Sequence, residues 1–311
     1  AAKCRSPPSS TRPERAGLLL SQPRAEDIAG QPILRPLPSA KCRSVGPFVF
    51  FDHMLEQAYP AGSGMNINQH PHTGLSTLTY LLEGALPPKD SLGTDQIAQP
   101  GDVSWMTAGR AVAHVERTPE ALRKTGARLH GLQVWLALPE AEEQGEPSYS
   151  HHPAASLPRS ETMGVQITLI AGNGFCLQSP VPVRSPTVYA ELKLQAGTSL
   201  SIPAEHRERA LYLLAGEARL EDDNLPLHGM AVLPEGEELL LSACSECHLV
   251  LIGGEPLGPR RMYWNFVATD AAMLEQAKQR WAAWDWTRVA DESERIPLPG
   301  ASPWQIMALS G

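Results

Sequence analysis

Short apolar runs, interrupted by turn residues at intervals of about ten positions, restrict the folds open to this chain. One run spans Leu75–Gly84 and ends in a turn glycine, and clusters of Asp, Gly and Pro such as QPGD lie between the runs. The 311 residues include 25 Gly and 29 Pro, which suits a fold with many turns and suits long bundled helices poorly. The pattern therefore predicts an all-β protein built as an antiparallel sandwich or barrel.

The two halves of the chain resemble each other. A polar, Pro-punctuated segment from Pro139 to Arg159 separates two sets of predicted strands. YLLEG at 80–84 in the first half matches YLLAG at 212–216 in the second, and the turn PGD at 100–102 has a looser counterpart, PEG, at 234–236. Two matches in the same order predict a duplicated barrel.

Four segments follow from this organisation. Residues 1–30 are rich in Pro, Ser and Arg and are predicted to be a flexible tail. Residues 31–150 are predicted to form the first barrel, residues 151–262 the second, and residues 263–311 a helix with a tail. The helix is expected from about Thr269 to Trp286, with four apolar side chains at helical spacing on one face: Leu274, Ala277, Trp281 and Trp284.

Charge and cysteine content limit the function classes. The net charge of −8 repels phosphate backbones, so direct nucleic-acid binding is not expected. No stretch approaches the ~20 apolar residues that span a bilayer, and Leu18–Leu20 is too short for a signal-peptide core. The five cysteines are odd in number and sparse, which favours a reducing compartment and predicts a cytoplasmic location.

Two short motifs indicate a metal site. His70 and His72 are two residues apart, as are His114 and Glu116, and side chains at i and i+2 of a strand point the same way. If both strands face one barrel interior, three imidazoles and one carboxylate converge, and a divalent cation would satisfy all four. A histidine taken alone is more often a hydrogen-bonded core or surface residue, and seven are assigned to that class: His53, His130, His151, His152, His206, His228 and His248.

The spacing around these motifs resembles that of a known superfamily. Gly64 precedes His70 by five intervening residues, and Gly101 and Gly109 lie upstream of His114, which resembles the two cupin motifs. The segments GPFVFFDHM, HPHTGLSTLTYLLEGALPPKDSLG, QPGDVSWMTAGRAVAHVE and LHGLQVWLALP are similar to signature segments of the pirin family, and the similarity extends from about Gly46 to the C-terminus. The resemblance implies two tandem cupin (jelly-roll-type) β-barrels followed by a helix, with metal in the first barrel and none in the second.

The resemblance also implies the ligands and the ion. In pirins one metal, usually iron, is held by three histidines and one glutamate, which correspond here to His70, His72, His114 and Glu116. Fe(II) is the leading expectation, and Mn, Co, Ni, Cu or Zn also suit imidazole and carboxylate ligands. The family's HPHRGFE reads HPHTGLS here, so an ordinary cupin's glutamate position holds Ser76.

Two functions from different classes follow. Some pirins resemble quercetin 2,3-dioxygenases, which open a flavonol ring with dioxygen and release carbon monoxide. The sequence is therefore interpreted as that of a metal-dependent dioxygenase acting on a small aromatic, flavonol-like substrate, with Glu116 as the catalytic base. The alternative is a non-catalytic metal-binding regulator of the transcriptional co-regulator type, whose acidic surface would bind a protein partner.

Overall fold

The computed structural model describes residues 18–94, 96–300 and the backbone of 306–309. Contacts divide the chain into two compact units. The N-terminal unit comprises Arg24–Pro38, Pro47–Ser156 and the chain from Leu257 onward. The C-terminal unit comprises Ser39–Gly46, Leu157–Pro256 and the described residues 18–23.

Strands dominate both units, as the turn-rich sequence predicts. The strands up to residue 152 are β1 Leu19–Ser21, β2 Arg24–Ile28, β3 Gln31–Leu37, β4 Phe48–Tyr59, β5 Asn66–His72, β6 Leu75–Glu83, β7 Pro88–Asp90, β8 Val103–Thr107, β9 Val112–Arg117, β10 Ala127–Ala137 and β11 Ser148–His152. The strands after it are β12 Arg159–Thr162, β13 Val165–Gly174, β14 Leu177–Gln178, β15 Thr187–Leu194, β16 Ser199–Ile202, β17 Glu208–Ala215, β18 Ala218–Leu220, β19 Asp223–Asn224, β20 Met230–Leu233, β21 Leu239–Ala243, β22 Cys247–Gly254, β23 Arg260–Tyr263, β24 Phe266–Ala268 and β25 Ile306–Leu309. The helices are α1 Glu120–Thr125 and α2 Ala271–Ala282, with single 3-10 turns at Glu140–Glu142 and Ala154–Ser156.

The N-terminal unit is built from three antiparallel sheets. A seven-stranded sheet runs in the order β11-β8-β6-β10-β4-β3-β2, and a three-stranded sheet runs β5-β9-β7. The third sheet, β24-β23-β25, belongs to the same unit. The side chains of Phe48, Phe51, Leu78, Leu132 and Val134 in the large sheet are fully buried and form its core.

The C-terminal unit contains an eight-stranded sheet, β1-β20-β17-β22-β15-β13-β12 with β14 on β13, and a four-stranded sheet, β16-β21-β18-β19. One apolar cluster joins strands of both sheets and includes Leu169, Leu192, Leu220, Leu241 and Leu249, each 1 % exposed or less. The expected all-β architecture with two β-units is therefore confirmed.

The internal repeat holds for the strands but not for one of its turns. YLLEG lies at the end of β6 and YLLAG at the end of β17, and both end in a glycine with positive φ, Gly84 at 89° and Gly216 at 83°. The PGD turn precedes β8, whereas its predicted counterpart PEG follows β20. The structural counterpart is instead the turn before β20, where Gly229 donates to the Pro226 carbonyl at 3.0 Å.

The N-terminal segment differs from the expected tail. Residues 1–17 lie outside the described residues, but 19–21 and 24–28 form β1 and β2. Leu18 and Leu20 pack against the apolar cluster of the C-terminal unit, and the burial of their apolar surface favours an ordered segment. The predicted limits of the two barrels, 31–150 and 151–262, stay predictions.

The C-terminal helix forms over Ala271–Ala282, so it ends four residues before the expected Trp286, and Trp284 lies just beyond its end. Asp270 caps α2, its side chain accepting a hydrogen bond from the Ala272 amide at 2.9 Å. Ala277 and Trp281 are buried, and Leu274 and Trp284 pack against the same cluster. That cluster also contains Ala113 and Val115 of β9, so α2 covers one face of the strand that carries His114 and Glu116 on its other face. Within the described residues, no helix combines the length and the apolar character that crossing a membrane requires.

Candidate metal centre and its cavity

The two motif-bearing strands are neighbours. Strands β5 and β9 pair antiparallel, with His70 directly opposite His114 and Ile67 opposite Glu116. A register shift between Ile67 and His70 separates these two pairs. Because side chains alternate along each strand, His72 and Glu116 share the face of His70 and His114. The convergence expected from the two i, i+2 motifs is therefore present in the fold.

A glycine fixes the chain where it leaves β5. Gly74 has a φ of +71°, and a Cβ there would lie 1.8 Å from the Val267 carbonyl oxygen of β24. The Gly74 amide also donates to the Gly109 carbonyl at 2.8 Å, two residues past the end of β8. The backbone on either side of this turn is thus tied to two neighbouring segments, which fixes the position of His72 at the end of β5.

The three imidazoles lie close together. The ring centroids of His70 and His114 are 4.3 Å apart, those of His72 and His114 4.7 Å, and those of His70 and His72 5.3 Å. Within the described residues, these three form the one group whose ligand atoms all lie within 4.8 Å of one another. The carboxylate of Glu116 is adjacent, with its Oε2 3.7 Å from His70 Nε2.

The spacing of the nitrogens fits a shared ion. His72 Nε2 and His114 Nε2 are 3.0 Å apart. Two nitrogens that each bind an ion at about 2.1 Å, with their bonds at a right angle, are separated by about 3 Å. The Nδ1 atom of His72 is buried without a hydrogen-bond partner among the described residues, so this ring is not held by a polar network of its own. The donor set of imidazoles and a carboxylate suits a divalent transition metal.

A backbone contact and burial keep the three imidazoles in the neutral form that can bind a metal. His70 Nδ1 lies 2.8 Å from the Asn68 carbonyl, and because a carbonyl oxygen only accepts, Nδ1 carries the proton and Nε2 keeps its lone pair. Burial lowers the pKa of His70, against the opposing effects of Glu116 and the Asn68 contact. Burial lowers the pKa of His72 and of His114 well below the ordinary value, and the neighbouring rings lower both further. All three rings are therefore neutral at pH 7, which is the form that binds metals.

A residue that the sequence does not single out holds the carboxylate. Gln133 on β10 donates a hydrogen bond from Nε2 to Oε1 of Glu116 at 2.6 Å, and a second, longer one to Thr79 Oγ1 at 3.3 Å. The available signal was a lone glutamine inside the apolar run LHGLQVWLALP. A polar side chain inside such a run needs a buried partner, and here that partner is the carboxylate.

A cavity of about 330 Å³ lies beside the candidate ligands within the N-terminal unit. His70, His72 and Glu116 are in its wall, together with Gln133. Apolar side chains supply much of the remaining wall, including Ile28, Ile33, Met54, Met65, Ile67 and Met262. The size and the mixed lining are those of a small-molecule site.

Aromatic and charged groups continue the wall from the histidines outward. Trp135 contacts His72 edge-on at a centroid distance of 5.3 Å and stacks on Phe50 at 3.8 Å. The Arg35 guanidinium lies 4.5 Å from the Phe50 ring centroid and is held by Asp52 through contacts of 2.6 and 2.8 Å. The lining residues Arg24 and Glu26 are exposed, so the cavity reaches the protein surface.

Most of the histidines assigned to ordinary roles have protein partners. His53 Nε2 and His130 Nε2 are 3.0 Å apart, and His206 Nε2 contacts the Asn173 carbonyl at 2.8 Å. The remaining contacts are of the same kind: His151 with Asp102 at 2.9 Å, His152 with Ser150 at 2.9 Å, and His248 with Glu191 at 2.7 Å. His228 stacks on Tyr212 at a centroid distance of 6.5 Å.

Comparison with known proteins identifies the family. The sequence model described as Pirin matches residues 30–136, and the model described as the Pirin C-terminal cupin domain matches residues 189–286. The chain belongs to the pirin family. A pirin-like protein of Caulobacter vibrioides is 41% identical over 285 residues, which covers 90% of this chain and 99% of that protein. Both β-units are therefore cupin domains, as expected.

Solved structures agree with this assignment. The crystal structure of a quercetin 2,3-dioxygenase from Acinetobacter baumannii superposes with a TM-score of 0.86 at 32% identity, covering 94% of this chain and 98% of the other. The bacterial pirin YhhW from Escherichia coli, solved in complex with nickel(II), superposes with a TM-score of 0.60 at 17% identity over 77% of this chain and 100% of the other. The second likeness shows the fold alone. The three-histidine cluster of this pirin is suited to a single metal ion.

Two of the departures from the usual pirin motif, Leu75 and Ser76, have protein partners of their own. Ser76, at the position where an ordinary cupin has its glutamate, shares a buried hydrogen bond with Thr107 Oγ1 at 2.9 Å. Leu75 packs in an apolar cluster with Trp135 and Val267. These replacements therefore leave Glu116 as the carboxylate nearest the histidines on the paired strands.

Proposed function

We propose that this pirin is a metal-dependent dioxygenase of the quercetin 2,3-dioxygenase type. Its ion, Fe(II) in the first instance, would be held by His70, His72, His114 and Glu116. The observation that supports the proposal most directly is the cavity of about 330 Å³, whose wall contains three of these four side chains and which reaches the surface. Structural metal sites are closed by protein ligands, whereas a catalytic ion needs a path by which substrate can reach it.

The chain's own residues would bind and orient the substrate. Phe50 and Trp135, which stack on each other at a centroid distance of 3.8 Å and an angle of 12°, both line the cavity and would supply apolar contacts to a planar aromatic molecule. Trp135 also contacts His72 edge-on, so a substrate ring in contact with Trp135 would lie near the ligand cluster. The methionine and isoleucine side chains of the cavity would exclude water around the reacting carbons.

Glu116 would move the proton. A flavonol hydroxyl that enters the cluster would transfer its proton to Oε2 of Glu116, because Oε1 already accepts the hydrogen bond from Gln133. A bound transition metal would supply acidification of that hydroxyl and a place for dioxygen, chemistry that these side chains alone lack. Glu116 thus acts both as a ligand and as the base.

The decisive experiment measures flavonol loss together with oxygen uptake. Wild-type protein reconstituted with Fe(II) should consume both in equal amounts, and His72→Ala should consume neither above the rate of the free ion. Parallel loading with Mn, Co, Ni, Cu and Zn identifies the active ion. If wild type and His72→Ala turn over the flavonol at equal rates, the dioxygenase proposal is wrong. A protein that binds metal tightly without turnover would instead favour the non-catalytic regulator.

A further inference from the structure

A second, much smaller cavity lies next to the candidate ligands. Its volume is about 20 Å³, and its wall includes His114 and Glu116. Among the described residues, Glu116 alone lines both this cavity and the large one. The minimum needed to hold a water molecule is about 10–15 Å³, so the small cavity has room for one.

The wall of this small cavity is part polar and part apolar, with Leu86, Pro87, Pro88 and Met106 beside the polar residues. It carries the hydroxyls of Thr77, Thr79, Ser104 and Tyr149, and Tyr149 donates to Ser104 Oγ at 3.4 Å. An apolar pocket of this size would stay dry, whereas a water molecule is stable where it finds two to four polar partners. The lining therefore meets the second requirement for a buried water.

Asp90 supplies the group that needs such a partner. Its Oδ1 accepts hydrogen bonds from the backbone amides of Leu92 at 2.9 Å and Thr94 at 3.0 Å. Its Oδ2 is buried, and no group in the described part of the chain donates to it. The residue is only 2% exposed and lines the small cavity. A buried carboxylate oxygen without a donor is unfavourable, so a water that donates to it at this position is favourable.

The strand register places Asp90 beside a candidate ligand. In the pairing of β7 with β9, Asp90 lies directly opposite His114. His114 Nε2 faces His72 Nε2, so Nδ1 is the nitrogen that faces away from the cluster. We propose that one buried water bridges Asp90 Oδ2 and the Nδ1–H of His114, making Asp90 a positioning residue for that ligand. Such outer partners fix the tautomer and orientation of metal-binding histidines.

The inference rests on the proposed metal centre, and its test separates the two. Asp90→Asn keeps an oxygen for the Leu92 and Thr94 amides but loses the acceptor that faces the water. Asp102→Asn is the matched control, because Asp102 also accepts hydrogen bonds from backbone amides but lines neither cavity. The probe is Ni(II), an ion that imidazole binds well. Titration of the full chain should show affinity about 10-fold to 100-fold weaker in Asp90→Asn and unchanged in Asp102→Asn.

Two further measurements test the inference, and the first uses the wild type alone, so it does not depend on how the variants fold. A crystal structure should show one density peak at about 2.7–3.0 Å from Asp90 Oδ2. The Nδ1–H proton of His114 should exchange slowly by NMR in wild type and Asp102→Asn, and rapidly in Asp90→Asn. An empty cavity, or a peak at the 2.3–2.6 Å typical of a bound cation, would overturn the inference. Equal Ni(II) affinities in the two variants would overturn the bridging water and leave the proposed metal centre intact. Wild type that binds no Ni(II) at the histidines would overturn both.

Discussion

Gln133 donates a hydrogen bond from Nε2 to Oε1 of Glu116 at 2.6 Å. The contact joins the seven-stranded sheet of the N-terminal unit to its β5-β9-β7 sheet. The contact leaves Oε2 as the carboxylate oxygen nearest His70, at 3.7 Å from its Nε2. One carboxylate oxygen is therefore held by the protein, and the other is directed at the histidine cluster.

Removing this donor should weaken the centre without unfolding the protein. Gln133→Met keeps an unbranched side chain of similar length but cannot donate to Glu116. We expect affinity for a divalent metal to fall about 10-fold, the lower end of the range for outer partners of metal ligands. The measurement is competition for Ni(II) against a chelating dye, with thermal unfolding recorded on the same samples.

Gln57→Met is the control for that experiment. Gln57 lies on β4 and donates to the Ala58 carbonyl at 3.1 Å on an exposed surface, away from both cavities. The affinity of Gln57→Met for Ni(II) should equal that of wild type. Equal affinity in Gln133→Met would show that the Glu116 carboxylate does not need this hydrogen bond.

Loss of a candidate ligand should remove the ion altogether. We expect elemental analysis of protein purified without added metal to find about one equivalent in wild type and almost none in His72→Ala. His206→Ala, which changes a histidine of the C-terminal unit bonded to the Asn173 carbonyl, should keep the full amount. A metal content in His72→Ala equal to that of wild type would contradict ligation by this ring.

Metal removal should also lower stability, because the ion binds the folded state. At a free metal concentration of 100 times Kd, binding adds about 2.7 kcal/mol to the free energy of unfolding. Wild type treated with a chelator should therefore unfold at a lower temperature, and His72→Ala should show no such response. Differential scanning calorimetry with and without the chelator measures both.

The sequence predicts the convergence of these four side chains because strand geometry is local, and their role as ligands stays a prediction. Two i, i+2 motifs place His70 with His72 and His114 with Glu116 on one face each, whatever the rest of the fold does. Gln133 and Asp90 could not be found in this way. Asp90 is near the cluster through the register of β7 with β9, and Gln133 through a contact between the seven-stranded sheet and the β5-β9-β7 sheet.

The same difference between local pattern and contacts of distant segments explains where two sequence predictions are wrong. Residues 18–30 read as a tail because their strands have almost no apolar periodicity, and β1 is ordered through its pairing with the distant strand β20. The PEG turn at 234–236 matches PGD in letters and spacing, yet PEG follows β20 whereas PGD precedes β8. Pairings between distant segments decide both cases, and local pattern does not encode them.

The C-terminal helix provides a test of packing on the ligand strand. Trp281 is 1% exposed, and its Nε1 donates to the Ile296 carbonyl at 2.9 Å. Trp281→Ala should lower the free energy of unfolding by about 3–5 kcal/mol, since it opens a cavity in the cluster that contains Ala113 and Val115. Gln276→Ala, on the exposed face of the same helix, should change it by less than about 0.5 kcal/mol. Denaturant titrations followed by tryptophan fluorescence compare the two.

Asp102 should make the N-terminal unit sensitive to acid. Burial alone would raise its pKa, but hydrogen bonds from the backbone amides of Gln99 and Ala154 and from the His151 ring outweigh burial and hold the pKa below the ordinary value. Because the folded state binds this proton less readily than the unfolded state, the carboxylate stabilises the fold fully above the ordinary aspartate pKa of about 3.9. That stabilisation is lost as the pH falls through this value toward the lowered pKa.

The amide in Asp102→Asn carries no charge to lose, so the variant should be less stable than wild type at pH 7 and should approach it in stability below about pH 4. The measurement is the free energy of unfolding in urea at several pH values between about 3 and 7, with a chelator present to remove any contribution from metal. A constant difference between wild type and Asp102→Asn across that range would mean that Asp102 has the same pKa in the folded and unfolded states.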